Sequence, residues 1–151
     1  MLYRQIKEIS KKTIRKKLNE FFKEDDIKND ITTNTFINKK EHIKANFVAE
    51  FDGVFCGEKI IEEAFSKKVK TLTFIKDGFK VKESQLLATI EGPAEEILRK
   101  ERVVLNLIQR MSGIATETNK YAQKAYRKNI QILDTRKTTP GIRIFEKYAS
   151  K

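Results

Sequence analysis

Tryptophan is absent from this chain of 151 residues, and cysteine and histidine occur once each, as Cys56 and His42. A single thiol excludes an internal disulfide framework and any multi-cysteine metal centre, and a single imidazole excludes most histidine-based zinc sites. No apolar window is long enough to cross a bilayer, and the opening residues lack the apolar core of a secretory signal. The basic, amphipathic start has the charge of a transit peptide, but Glu20 and Glu24-Asp25-Asp26 follow too soon for one. A cytoplasmic location is the expectation.

What is present favours a globular fold. Apolar residues make up 39% of the chain and include ten Phe, enough for a core despite 35% charged residues. The length suits one domain, or a small domain with part of another. The net charge of +11 is uneven. Residues 1–50 carry 12 basic and 8 acidic groups, 51–100 carry 9 and 9, and 101–151 carry 11 and 4. A basic C-terminal third suits an anionic metabolite or a polyanion such as nucleic acid, although a solubilising surface has the same signature.

Hydrophobic spacing predicts the elements. Ile6, Ile9, Ile14, Leu18, Phe21 and Phe22 recur near the helical period over 3–23. From 42 to 51, Ile43, Ala45, Phe47, Ala49 and Phe51 alternate as one face of a strand, and Asp52-Gly53 predicts a tight reversal into Val54-Phe55-Cys56-Gly57. A short helix is expected over 58–66, then strands over 70–75 and 86–91 on either side of an Asp77-Gly78 turn. Gly92-Pro93 ends the second strand, and Glu95 and Glu96 suit the positive end of a following helix.

That helix, from 95 to about 110, has apolar residues around more than half its circumference and is expected to be largely buried. Arg102 within it must be paired, exposed at a boundary, or directed at a ligand. Ser112-Gly113-Ile114-Ala115-Thr116 predicts a break that serves packing or admits a substrate, before a helical period resumes over 118–126. Residues 130–133 read as a fully buried strand ending in Asp134-Thr135-Arg136-Lys137. Adjacent Arg and Lys at a strand's carboxyl end form an anion seat: Arg offers a planar fork and Lys a mobile point charge.

Glu101-Arg102-Val103-Val104-Leu105-Asn106-Leu107-Ile108-Gln109-Arg110-Met111-Ser112-Gly113-Ile114-Ala115-Thr116, then Leu133-Asp134-Thr135-Arg136-Lys137-Thr138-Thr139-Pro140-Gly141 and Glu146-Lys147-Tyr148-Ala149, closely resemble the quinolinate phosphoribosyltransferases, the carboxylating nicotinate-nucleotide pyrophosphorylases. Weaker agreement at Asp52-Gly53-Val54-Phe55-Cys56-Gly57 and Asp30-Ile31-Thr32-Thr33 extends the resemblance over about residues 19 to 149. Asn29 stands where that family usually has Gly.

The resemblance implies an α+β N-terminal domain over 1–112, an antiparallel open-faced sandwich with helices. This leads into the first strand and helix of a truncated α/β barrel over 113–151. It implies condensation of quinolinate with phosphoribosyl pyrophosphate and magnesium, giving nicotinate mononucleotide, pyrophosphate and carbon dioxide for NAD biosynthesis. Arg136 and Lys137 would hold quinolinate carboxylates, with Thr135 adding hydroxyl or backbone contacts, and Arg102 would reach into a neighbouring subunit's site of a homodimer or an oligomer of dimers. No side chain here is expected to act as a covalent nucleophile, and Cys56 reads as a small buried thiol.

Members of that family continue past the Glu-Lys-Tyr-Ala motif into a glycine-rich segment and most of the barrel, with further Lys, Glu and Asp ligands for the phosphoribosyl group and magnesium. This chain stops at Ser150-Lys151, so turnover by it alone is not expected. Three other readings are kept open: a molybdenum-transport relative of the same fold, a non-catalytic basic binding module, and a degenerate fragment without activity that folds only as an N-terminal interaction domain. Against nucleic acid stands the lack of aromatics interleaved with the basic cluster.

Overall fold

Ser10 opens the first helix by accepting the Thr13 N–H at 3.2 Å, a cap that supplies one of the donors a helix start leaves free. Helix α1 (Lys11–Glu24) therefore begins later than the periodicity from residue 3 suggests. The computed structural model describes residues 6–38, 40–126, 128 and 130–151, so the start of that expected span, residues 3–5, lies outside the described residues. Ile14, Leu18 and Phe22 form the buried stripe of α1, each contributing roughly 1.5–3 kcal/mol of apolar burial. A 3₁₀ turn (Ile27–Asn29) and α2 (Ile31–Phe36) follow, the latter capped by Asp30, whose carboxylate accepts the Thr33 N–H at 3.2 Å.

Strand β1 (His42–Val48) does not turn back on itself at Asp52-Gly53. It pairs antiparallel with the distant β5 (Leu86–Pro93), while β2 (Gly53–Val54) pairs with β4 (Lys80–Val81). The expected reversal fails because both potential partners are already engaged: β5 takes up β1, and α4 (Ala94–Tyr126) captures β2 through side chains. The Val54 N–H donates to Thr116 Oγ1 at 2.9 Å, and the Cys56 N–H to Ser112 Oγ at 3.0 Å. Phe51 is consequently 73% exposed rather than on the core face.

Helix α3 (Glu58–Ala64) precedes β3 (Lys70–Phe74), which pairs antiparallel with β5 to complete a sheet in the order β1-β5-β3. Register explains its sidedness. Ile43, Ala45 and Phe47 sit opposite Gly92, Ile90 and Ala88 on one face, and Asn46 sits opposite Thr89 on the other, joined by a 2.9 Å side-chain hydrogen bond. The first face and the buried stripes of α1, α3 and α4 share one core that includes Phe55, Ile60, Ile61, Ala88, Ile90 and Val104. The architecture is α+β: small antiparallel sheets with helices packed on them.

Helix α4 runs unbroken through the expected break at 112–116. The small residues there serve packing against β2. Thr116 returns its hydroxyl to the Ser112 carbonyl at 2.7 Å, inside the helical pattern, while its oxygen accepts from β2. The helix is also less buried than its composition suggests. Positions 101, 102, 105, 106, 109 and 110 are exposed, and 103, 104, 107, 108 and 111 are buried, an ordinary amphipathic alternation in which Leu105 faces out.

Residues 130–133 are not a strand, and Ile130, Ile132 and Leu133 are 58%, 43% and 58% exposed. Among the described residues no strand pairs with them, and a parallel-sheet strand forms only when neighbours supply its ladder and cover both faces. Helix α5 (Arg143–Ala149) closes the fold, with Phe145 fully buried and stacked at a tilt on Phe21, ring centroids 6.2 Å apart.

Candidate functional site

The turn between residues 134 and 141 is shaped by its own hydroxyls and by α5. Thr135 Oγ1 accepts the Lys137 N–H at 3.0 Å, and the Arg136 carbonyl accepts the Thr138 N–H at 3.0 Å. The first bond is the local preference of a Thr hydroxyl for a nearby backbone N–H, and the second closes the turn through the backbone alone. Gly141 (φ +84°) then allows the reversal into α5. Thr135, Arg136 and Lys137 are all exposed.

Both ends of the turn are anchored. At its start, the nearly buried Lys147 Nζ donates to Asp134 Oδ1 at 2.7 Å. At its end, the buried Glu146 carboxylate accepts the Thr139 N–H at 2.9 Å and the Thr139 hydroxyl at 2.9 Å. Glu146 is held in turn by Arg110 on α4, with Nε at 2.8 Å and Nη2 at 2.7 Å. Burial opposes the charge on Glu146. The Thr139 amide, the Arg110 guanidinium and the Thr139 hydroxyl outweigh it and hold the carboxyl below its usual range.

Arg102 lies elsewhere. Its Nη1 is 3.2 Å from both Asp25 oxygens at the end of α1, and its side chain is 68% exposed. It sits two helical turns before Arg110, about 12 Å along the α4 axis from the helix's contact with the 134–141 turn. Of the four sequence-derived site residues, Thr135, Arg136 and Lys137 thus share one exposed turn, while Arg102 is paired on a separate surface.

Arg110, Asp134, Glu146 and Lys147 lay within the quoted motifs but carried no role in the sequence reading. The available signal was the adjacent Glu146-Lys147 in a short amphipathic helix, where buried charges require partners.

Cys56 is a buried thiol, pushed upward by burial and then by the Asp77 carboxylate, which leaves it a poor nucleophile. Among the described residues no three His, Cys, Asp or Glu side chains cluster as a metal-ligand set. The exposed turn is cationic, and one Asp134 oxygen is committed to Lys147, so these residues do not build a magnesium site. No described helix is long and apolar enough to cross a membrane.

Comparison with known proteins speaks to the family of the chain. The profile described as "Quinolinate phosphoribosyl transferase, N-terminal domain" matches residues 30–112, and its C-terminal counterpart matches residues 114–151. The chain is 43% identical over 139 residues to a Bacillus subtilis protein named "Probable nicotinate-nucleotide pyrophosphorylase (carboxylating)", covering 90% of this chain and 48% of that one. A Methanothermobacter thermautotrophicus protein of the same name is 39% identical over 123 residues, covering 80% and 44%.

Among solved structures, the nicotinate-nucleotide pyrophosphorylase from Francisella tularensis superposes with a TM-score of 0.88 at 29% identity, over 98% of this chain and 53% of that one. NadC from Streptococcus pyogenes does so with a TM-score of 0.88 at 32% identity, over 95% and 52%. The chain spans about half the length of the curated relatives it matches. With both domain profiles matched in order and the fold shared at this level, the chain belongs to the quinolinate phosphoribosyl transferase family.

Proposed function

We propose that this chain supplies the quinolinate-holding turn of a quinolinate phosphoribosyltransferase of NAD biosynthesis. That enzyme joins quinolinate to phosphoribosyl pyrophosphate with release of pyrophosphate and carbon dioxide. The observation that carries this is the anchored, solvent-facing Thr135-Arg136-Lys137 turn. It presents two adjacent cations to a substrate pair that consists of a dicarboxylate and a pyrophosphate ester. Arg136 grips a carboxylate through its fork, Lys137 adds a point charge, and Thr135 shapes the turn and offers its hydroxyl. Fixed cations of this kind also stabilise the negative charge that develops as the carboxyl group departs.

Arg102, on the Asp25 side of α4, fits a role across a subunit boundary, reaching a substrate held by a second copy in a cytoplasmic homodimer. Residues 1–112 would act as the α+β domain and 113–151 as the opening of the catalytic barrel. Magnesium would arrive with phosphoribosyl pyrophosphate, held by groups outside this chain. Turnover would belong to the whole enzyme; the matched relatives are about twice this length.

The test is an assay of nicotinate mononucleotide and carbon dioxide formation. It is run on this chain alone and on this chain mixed with any polypeptide encoded immediately downstream, with quinolinate binding followed in both. Binding by the chain with product only from a completing mixture is expected. Failure of the chain alone to bind quinolinate at low salt overturns the assignment of Arg102, Arg136 and Lys137.

A further inference from the structure

The adjacent Glu146 and Lys147 of α5 point in different directions along the chain, and each takes hold of a different end of the cationic turn. Lys147 meets Asp134 at 2.7 Å, one residue before Thr135, and Glu146 meets Thr139 through two contacts of 2.9 Å, two residues after Lys137. The four residues between these anchors contain the whole proposed quinolinate contact. Arg110 extends the linkage to α4, since its guanidinium holds Glu146 and its Nη2 also lies 3.4 Å from Thr139 Oγ1. Both α5 groups are well shielded from solvent, so their bonds compete weakly with water.

We propose that Glu146 and Lys147 are positioning residues: a two-point clamp on α5 that fixes the Thr135-Arg136-Lys137 turn for anion capture. Neither touches the ligand. Glu146 is fully occupied by Thr139 and Arg110, and Lys147 spends its charge on Asp134. Their effect passes through the backbone of 134–139. A loose turn must be ordered when ligand arrives, and that entropy is subtracted from affinity; a clamped turn is ordered beforehand. Arg110 makes the clamp sensitive to α4, so the turn is referenced to the helical core rather than to the exposed 130–133 segment.

The ligand half of this inference rests on the function proposed above, and the test separates the two. In the full chain, Glu146→Gln and Lys147→Met are compared with the unaltered protein by residue-resolved amide exchange. The Lys137 and Thr138 amides are expected to exchange at least about tenfold faster, a larger change than at Leu107 and Ile108 of α4, which report only the global stability. Should Lys147→Met fail to fold, the pair Asp134→Asn with Lys147→Met removes both charges and leaves no buried ion unpaired. Unchanged exchange at 137 and 138 overturns the clamp.

Quinolinate titration of the same variants is expected to show affinity about tenfold weaker for each, and a smaller further loss when either change is added to Arg136→Ala, where only Lys137 is left to position. Equal losses in both backgrounds overturn the positioning role, because they show an effect that does not pass through Arg136. If the unaltered chain binds no quinolinate, the proposed function fails, and amide exchange alone decides the clamp.

Discussion

Gly57 and Gly113 show one residue type serving opposite purposes. A Cβ on Gly57 would meet Ile108 side-chain atoms at 2.7 and 2.9 Å, whereas one on Gly113 meets nothing within 4 Å. Gly57→Ala should therefore destabilise the protein by about 1–3 kcal/mol through overpacking against α4. Gly113→Ala, in mid-helix, should stabilise it by about 0.5–1 kcal/mol. Denaturant midpoints read both, and equal signs would contradict this packing. Glu146 makes a pH prediction of known sign. Its carboxyl is held below the usual range, so its stabilisation is complete above the ordinary glutamate value and disappears as pH falls through the lowered one. The stability difference between the unaltered protein and Glu146→Gln should stay constant from about pH 7 to pH 5 and shrink below about pH 4. A difference that grows on acidification would show the carboxyl to be raised instead. Cys56, 3% exposed and shifted upward by burial, should resist a thiol reagent at mild alkaline pH until the protein unfolds.

At the level of elements, α4 is about 50 Å of continuous helix whose two halves have different support. Val103, Val104, Leu107, Ile108 and Met111 are buried, while Tyr121 and Tyr126 near its end are exposed. Amide exchange should be slow around 104–111 and progressively faster beyond 118, and uniform protection to Tyr126 would contradict this gradient. The same contrast explains what could be read from sequence. Helices α1, α3 and α4 announce themselves because their apolar spacing is the spacing that meets the core, and β5 and β3 are bracketed by turn residues. Strand pairing was not legible. Asp52-Gly53 has the chemistry of a hairpin turn, but Ser112 and Thr116, some sixty residues on, claim β2. Residues 130–133 mislead in another way: their β-branched composition is real, but a strand is a property of its neighbours, and none is present among the described residues. Of the site, Arg136 and Lys137 were visible as chemistry. The Asp134–Lys147 ion pair and the Thr139–Glu146 hydrogen bonds were not, since buried polar contacts leave no periodic trace.

For the whole molecule, the +11 net charge is concentrated in the last third, where the proposed turn lies. A field of this sign draws in any small polyanion, so weak, salt-sensitive binding of phosphate or nucleic acid is no proof of function. The proposed quinolinate site differs because it rests on two named side chains, Arg136 and Lys137. A groove of about 1040 Å³ runs along α4, lined by Arg110, Ile114, Tyr121 and Ile132. The most direct measurement is calorimetric titration of quinolinate into this chain at low ionic strength, beside a double variant Arg136→Ala with Lys137→Ala. The substitutions leave the side chains of the Asp134–Lys147 and Thr139–Glu146 contacts in place. Saturable heat from the unaltered protein and none from the variant is the predicted result; no heat from the unaltered protein, or the same heat from both, would contradict it.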